Sequence, residues 1–225
     1  MSELSARLEN AEGSVSGLFL PAVLALAGAS LYYYRFRVPV GVSGIMSVMI
    51  LLAGLLVETI KPGLIEDNLP AFLFLAGVAS FTLAMTYDRR DLTRTTINTD
   101  KAFWLHLLAA PLIMHSLLAL SSNGDMDMQD QGYAFTSIAI FMVLSLVAVV
   151  IDRRALLVSG LSYFGIAVGY LISQAEVSSE ATMAVTLLVL GGFILVLGTG
   201  WRPVRRVVMS PLRDTAVMRF VPAAS

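Results

Sequence analysis

One uncharged stretch of this chain carries both of its histidines, in the order Phe103-Trp-Leu-His106-Leu-Leu-Ala-Ala-Pro111-Leu-Ile-Met-His115. Imidazole can ligate a metal, relay a proton or hold a neighbouring helix, and an ionisable group within an apolar segment is a functional candidate because burying it costs free energy. On a straight helix the nine-residue separation turns the two rings about 180° apart and sets them roughly 13 Å apart along the axis. His106 and His115 therefore cannot share one metal ion. Pro111 has no N–H and frees the carbonyl of Leu107, which can bend the helix or bring either ring toward a cavity. A plainer reading stands beside this one: His106, five residues inside Lys101, lies near an interface and bonds a neighbouring helix or a lipid headgroup.

Two acidic groups and one paired motif could also carry chemistry. Glu58, followed by Glu66 and Asp67, makes a candidate cation-attracting outer mouth, or simply solvated loop charge. The segment Gly124-Asp-Met-Asp-Met-Gln-Asp-Gln-Gly132 alternates carboxylates with thioethers, but it lacks the closing Glu of a calcium loop and has no His or Cys. Asp88-Arg89-Arg90 and Asp152-Arg153-Arg154 are the same triplet at two places, and Arg205-Arg206 adds a third basic pair. These residues either pair across helices as a cytoplasmic gate or meet lipid phosphates. No resident metal and no cofactor is expected from this set.

The elements that must position these residues are unusually plain. Seven stretches of 20 to 23 residues contain no Asp, Glu, Lys or Arg: 13–34, 38–57, 68–87, 102–124, 131–151, 155–175 and 181–201. Each is long enough to cross about 30 Å of hydrocarbon as a helix rising about 1.5 Å per residue. With 57% hydrophobic and 14% charged residues the chain cannot cover a water-soluble globule of 225 residues. The expected fold is an all-α integral membrane bundle of seven transmembrane helices, with an N-terminal arm over 1–16, the membrane domain over 17–201 and a basic tail over 202–225.

The charges between the runs alternate in sign. The segments after runs 1, 3, 5 and 7 hold 13 of the 15 Lys and Arg, whereas the N-terminal arm and the segments after runs 2, 4 and 6 hold 11 of the 16 acidic residues. Because basic residues are retained on the cytoplasmic side of short loops, this predicts an N-terminus outside and a C-terminus inside, in a bacterial inner membrane. The arm, with Glu3, Glu9 and Glu12 against Arg7, lacks the positive start of a secretory signal. The tail, apolar residues mixed with Arg202, Arg205, Arg206, Arg213 and Arg219, reads as an interfacial helix on anionic lipid headgroups or as a disordered basic tail.

Shifting the chain against itself by 116 residues brings Arg37, Val42, Ser43 and Gly44 onto Arg153, Val158, Ser159 and Gly160, and Arg89-Arg90 onto Arg205-Arg206. A parallel 3+1+3 repeat, with run 4 as linker, would follow. In that layout the chain resembles the SWEET-type sugar transporters, which implies two three-helix halves with a solute path between them. The resemblance is one of topology: the chain has no Pro-Gln dipeptide and no proline in runs 5 to 7, where that family uses prolines in both halves.

Several classes are excluded. Both lysines, Lys61 and Lys101, lie between runs, so no Schiff base to retinal can form within the bundle. Two histidines on one helix do not make the three-histidine zinc site of the ceramidase-like hydrolases. Every carboxylate is expected in a loop or at a run end, which disfavours proton-coupled transport. No glycine-rich phosphate loop precedes a lysine, no nucleic-acid partner is expected, and zero cysteines remove thiolate chemistry. The first functional expectation is an uncoupled permease or channel-like protein for a small solute, with its path beside Pro111 and His115. The alternative is a non-catalytic accessory or assembly subunit with a membrane-protein partner or a second copy of itself, and a membrane enzyme comes third. A permease should show a polar midplane cavity reaching His115. An accessory subunit should show a dry core and an apolar, small-residue outer face.

Overall fold

A computed structural model describes residues 15–122, 130–175, 178–212, 215 and 221–222. The expectations for the arm up to residue 14, for the Asp/Met-rich loop centre 123–129 and for most of the tail past 212 lie outside the described residues. Those residues form helices and connecting turns: α1 (Val15–Phe36), α2 (Val40–Ile60), a single turn Leu64–Asp67, α3 (Leu69–Arg90), α4 (Ile97–Ser121), α5 (Gln131–Ile151), α6 (Ala155–Ser173), α7 (Ser179–Thr199) and α8 (Trp201–Met209). The first seven numbered helices are each long and apolar enough to cross a membrane. In hydrocarbon a backbone must satisfy its own hydrogen bonds, and a helix does so within the segment whatever its side chains.

The helix ends differ from the charge-free runs where side chains cap the backbone. The segment Asp88 to Lys101, which joins two of the charge-free runs, is mostly helical. α3 runs through Asp88, Arg89 and Arg90, and α4 begins at Ile97 because the Thr96 side chain accepts the Asn98 N–H as an N-cap. The six residues between are gathered by Asp91, whose carboxylate accepts from the Thr95 and Thr96 amides and from the Thr96 and Thr99 hydroxyls. Burial works to raise the Asp91 carboxyl, but these hydrogen bonds, led by Thr96, hold it well below the usual carboxylate range.

α4 is the hub. It packs against α2, α3, α5 and α6, while α1 leans on α2 and α7 on α6. The α3 face toward α4 is built from small residues at helical spacing, Ala76, Gly77, Ser80 and Ala84, followed by Asp88. Such residues let backbones approach closely where no hydrophobic effect drives helices together. The approach is tight: a Cβ on Gly77 would lie 2.7 Å from Ile113 Cγ1 and 3.1 Å from the Ile113 backbone nitrogen. On the other side Gly160 of α6 seats the ring of Phe141 from α5, and Phe141, Phe164 and Phe193 join α5, α6 and α7 at centroid distances of 4.8 to 5.4 Å.

Pro111 is half-buried within α4, which continues as one helix from Ile97 to Ser121. The tail begins as a helix rather than as a free strand, and it does not lie wholly on the surface: Trp201, Arg205 and Met209 of α8 are buried against the bundle, while Arg202 and Arg206 are exposed. Contacts place the basic segments together at one end. Lys101 sits over the rings of Tyr33 and Tyr87, Arg94 reaches Asp152, and Trp201 reaches Asp152.

Candidate functional site

The polar residues buried at this basic end form one cluster, and α3, α4, the α5–α6 turn and α8 all contribute to it. Asp88 stands one turn beyond Ala84 on the small-residue face of α3, so the close α3–α4 packing carries its carboxylate against α4. There His106 Nε2 donates to Asp88 Oδ2 at 2.8 Å. Phe81 meets the imidazole edge-on at a centroid distance of 5.2 Å. The His106 ring is fully buried, and its Nδ1 has no hydrogen-bond partner among the described residues.

Arg153 closes the other side of Asp88 with a two-pronged pair, Nε to Oδ2 at 3.2 Å and Nη2 to Oδ1. Its position follows from the residue before it. Asp152 ends α5 in the left-handed region, φ 59°, where the Arg153 N–H bonds the Ala148 carbonyl in a Schellman-type close. That conformation usually calls for glycine, and aspartate is one of the few other residues that adopt it readily. The same turn leaves the Asp152 carboxylate facing the other way. It pairs with Arg94 Nη1 at 2.8 Å, accepts from Trp201 Nε1 at 2.6 Å, and lies 3.9 Å from Arg205 Nε. Arg94 also donates to the Ile151 and Asp152 carbonyls at 3.2 and 2.8 Å.

The two Asp-Arg-Arg triplets are therefore brought together, but unequally. Asp88 and Arg153 pair across the bundle, whereas Arg89 and Arg90 are exposed. Arg154 is exposed and stacks over the Trp201 ring at 4.8 Å. Arg205 is buried and donates to the Val149 and Pro222 carbonyls, while Arg206 is exposed. Asp88 lies at a span end, as expected, in the last turn of α3, but it faces inward and is 6% exposed.

The remaining candidates are dispersed. His115 points away from this cluster, as its nine-residue offset requires; it is exposed on the bundle and bonds Tyr163 of α6 through Nδ1 at 3.0 Å. Glu58 serves the backbone, accepting from the Gly63 amide and, at 3.0 Å, from the Ile65 amide, so it caps the single turn that follows α2. Asp67 is exposed at the end of that turn. Glu58 also borders a largely apolar groove of about 530 Å³ between α2 and α3. A second groove, of about 470 Å³, lies between Gly169 to Ser173 of α6 and the start of α7. Neither of these grooves is lined by His115 or Pro111. Among the described residues no three His, Asp or Glu side chains converge as a metal site.

Arg94, Trp201 and Asp91 were not picked out by spacing, although each holds the basic end together. The sequence signal for Asp91 is the run of threonines at 93, 95, 96 and 99 after it, because Asp and Thr side chains compete for nearby backbone amides. For Arg94 and Trp201 no local signal exists, since both act on a residue about 50 or more positions away.

The fold and the site define a class: an all-helical protein with the make-up of a multi-pass membrane protein, its charges collected at the helix ends. Comparison with protein families, curated proteins and solved structures finds no match for the chain.

Proposed function

We propose that the chain is a non-catalytic component of a membrane assembly, held in a bacterial inner membrane with its basic end toward the cytoplasm, and acting through helix–helix association. The observation that carries this reading is the closure of the hub. Leu105, Ala109, Ala110, Met114 and Leu118 of α4 have no exposed surface, and Ala110, Met114 and Leu118 belong to the main apolar core cluster, while His115 is exposed. A central helix buried in this way suits a structural part better than a solute path. The outer surface adds support: α7 buries none of its residues, and a Cβ on Gly191, Gly192 or Gly198 would meet nothing within 4 Å.

Purification of the full chain from its native membrane in mild detergent tests the reading. A stoichiometric membrane-protein partner, or a stable homo-oligomer joined through α7, is the expected result. Recovery of the chain alone, together with solute flux when it is reconstituted in vesicles, would overturn it. The permease reading is kept for one specific observation: the Asp88–Arg153 and Arg94–Asp152 pairs join the α3–α4 half to the α5–α6 half at one end, where a cytoplasmic gate would sit.

A further inference from the structure

At the basic end α6 and α7 do not close on one another. A groove of about 320 Å³ opens between them, with Leu157, Val158 and Leu161 on the α6 wall and Ile194, Leu197 and Gly198 on the α7 wall. Arg154 stands at its entrance, just before the first residue of α6. The spacing of 154, 157, 158 and 161 keeps these residues on one side of α6, a strip about 10 Å long. Gly198 leaves the opposite wall open, since a Cβ there would meet nothing within 4 Å. Farther from the entrance α6 and α7 do meet, Gly165 against Leu190 and Gly169 against Thr186, so the groove is a wedge closed at its inner end.

The entrance cation is held but not neutralised. Arg94, Arg153 and Arg205 each have a carboxylate within reach. Arg154, among the described residues, has none, and its guanidinium is fixed only by stacking over Trp201. Trp201 is in turn buried and tied to Asp152, so the platform beneath Arg154 does not move with solvent. An arginine set in this way at a membrane interface offers its free donors to a phosphate oxygen.

We propose that this groove binds one anionic phospholipid of the leaflet facing the basic end, with an acyl chain along Leu157, Leu161 and Leu197 and the phosphate on Arg154. Lining selects the tail. Apart from Arg154 the walls are Leu157, Val158, Leu161, Ile194, Leu197 and Gly198, an apolar strip suited to a hydrocarbon chain. Charge selects the head, because the lone formal charge at the entrance is positive and every other exposed charge on the neighbouring α8, Arg202 and Arg206, is positive too. The site is independent of the proposed assembly role and serves either functional reading.

The full chain in nanodiscs or mild detergent tests the site, with retained lipid counted by native mass spectrometry and thermal midpoints compared between phosphatidylglycerol and phosphatidylcholine. The wild-type chain should retain one phospholipid and be stabilised more by the anionic lipid. Arg154→Gln should lower the preference for anionic lipid about fivefold. Gly198→Leu, which fills the groove without altering charge and replaces glycine by a better helix former, should abolish retention of either lipid. Gly191→Leu, an equally open position outside the groove, should leave retention intact and serves as the folding control. Retention unchanged by both Arg154→Gln and Gly198→Leu would overturn the proposal. So would equal stabilisation by inorganic phosphate, which would mark a free-anion site, or a change of oligomeric state in Gly198→Leu without loss of lipid, which would mark a protein interface.

Discussion

At the residue scale the chain concentrates its risk in Asp88. A carboxylate at 6% exposure is tolerable only while Arg153 neutralises it and His106 completes its hydrogen bonding. Removing one partner of a buried ion pair is worse than removing both, because the remaining charge keeps its desolvation cost and loses its compensation. Asp88→Asn should therefore destabilise the protein by about 3 kcal/mol, and Arg153→Gln by a similar amount, whereas the joint change of both residues to leucine should cost less than either single change. Thermal unfolding in one detergent, followed by tryptophan fluorescence of Trp104 and Trp201, reads all three. An Asp88→Asn protein as stable as the wild type would show that the pair contributes nothing. Arg90→Gln, at an exposed position in the same triplet, is expected to be near neutral.

At the element scale the small-residue face of α3 decides whether that site exists. Ala76, Gly77, Ser80 and Ala84 bring α3 and α4 to backbone contact, and Asp88 reaches His106 only because the helices approach one turn earlier. Gly77→Leu should separate them, since its side chain would meet Ile113 at both Cγ1 and the main-chain nitrogen, and a backbone atom cannot swing aside. Overpacking of this kind costs about 1 to 3 kcal/mol. It should also open position 106 to solvent, which a thiol-reactive probe on a His106→Cys background would report as faster labelling. Gly28→Leu on α1, where nothing lies within 4 Å of an added Cβ, should leave both stability and labelling unchanged. Equal effects from the two substitutions would mean that α3–α4 packing is not the positioning element. Hydropathy alone could not separate these two glycines, because both lie in apolar runs of similar length.

At the scale of the whole molecule the basic segments form a single surface. Lys101 of α4 lies over Tyr33 of α1 and Tyr87 of α3, and Arg94 before α4 and Trp201 at the start of α8 both reach Asp152 at the end of α5, so basic segments that alternate along the chain meet at one end of the bundle. If the basic end faces the cytoplasm, a reporter fused after Ser225 that works only in the cytoplasm should be active, and one inserted near Lys61, on the acidic side, should be silent. The reverse pattern would overturn the orientation. Much of this was legible beforehand. Run lengths and charge signs come from composition within about 20 consecutive residues, and they predict seven long apolar helices and the gathering of basic segments without reference to packing. The pairing inside the cluster was not legible. At least six cationic side chains and three carboxylates crowd the same end, all long or flexible enough to meet several partners, and the sequence does not say which inter-helix distances are short. Only the tertiary structure, through the Gly77 contact and the left-handed turn at Asp152, decided that Asp88 takes Arg153 and His106 while Asp152 takes Arg94 and Trp201. The physical reason is that membrane insertion depends on local apolarity, which a sequence states directly, whereas partner choice among buried charges depends on distances that exist only once the helices have packed.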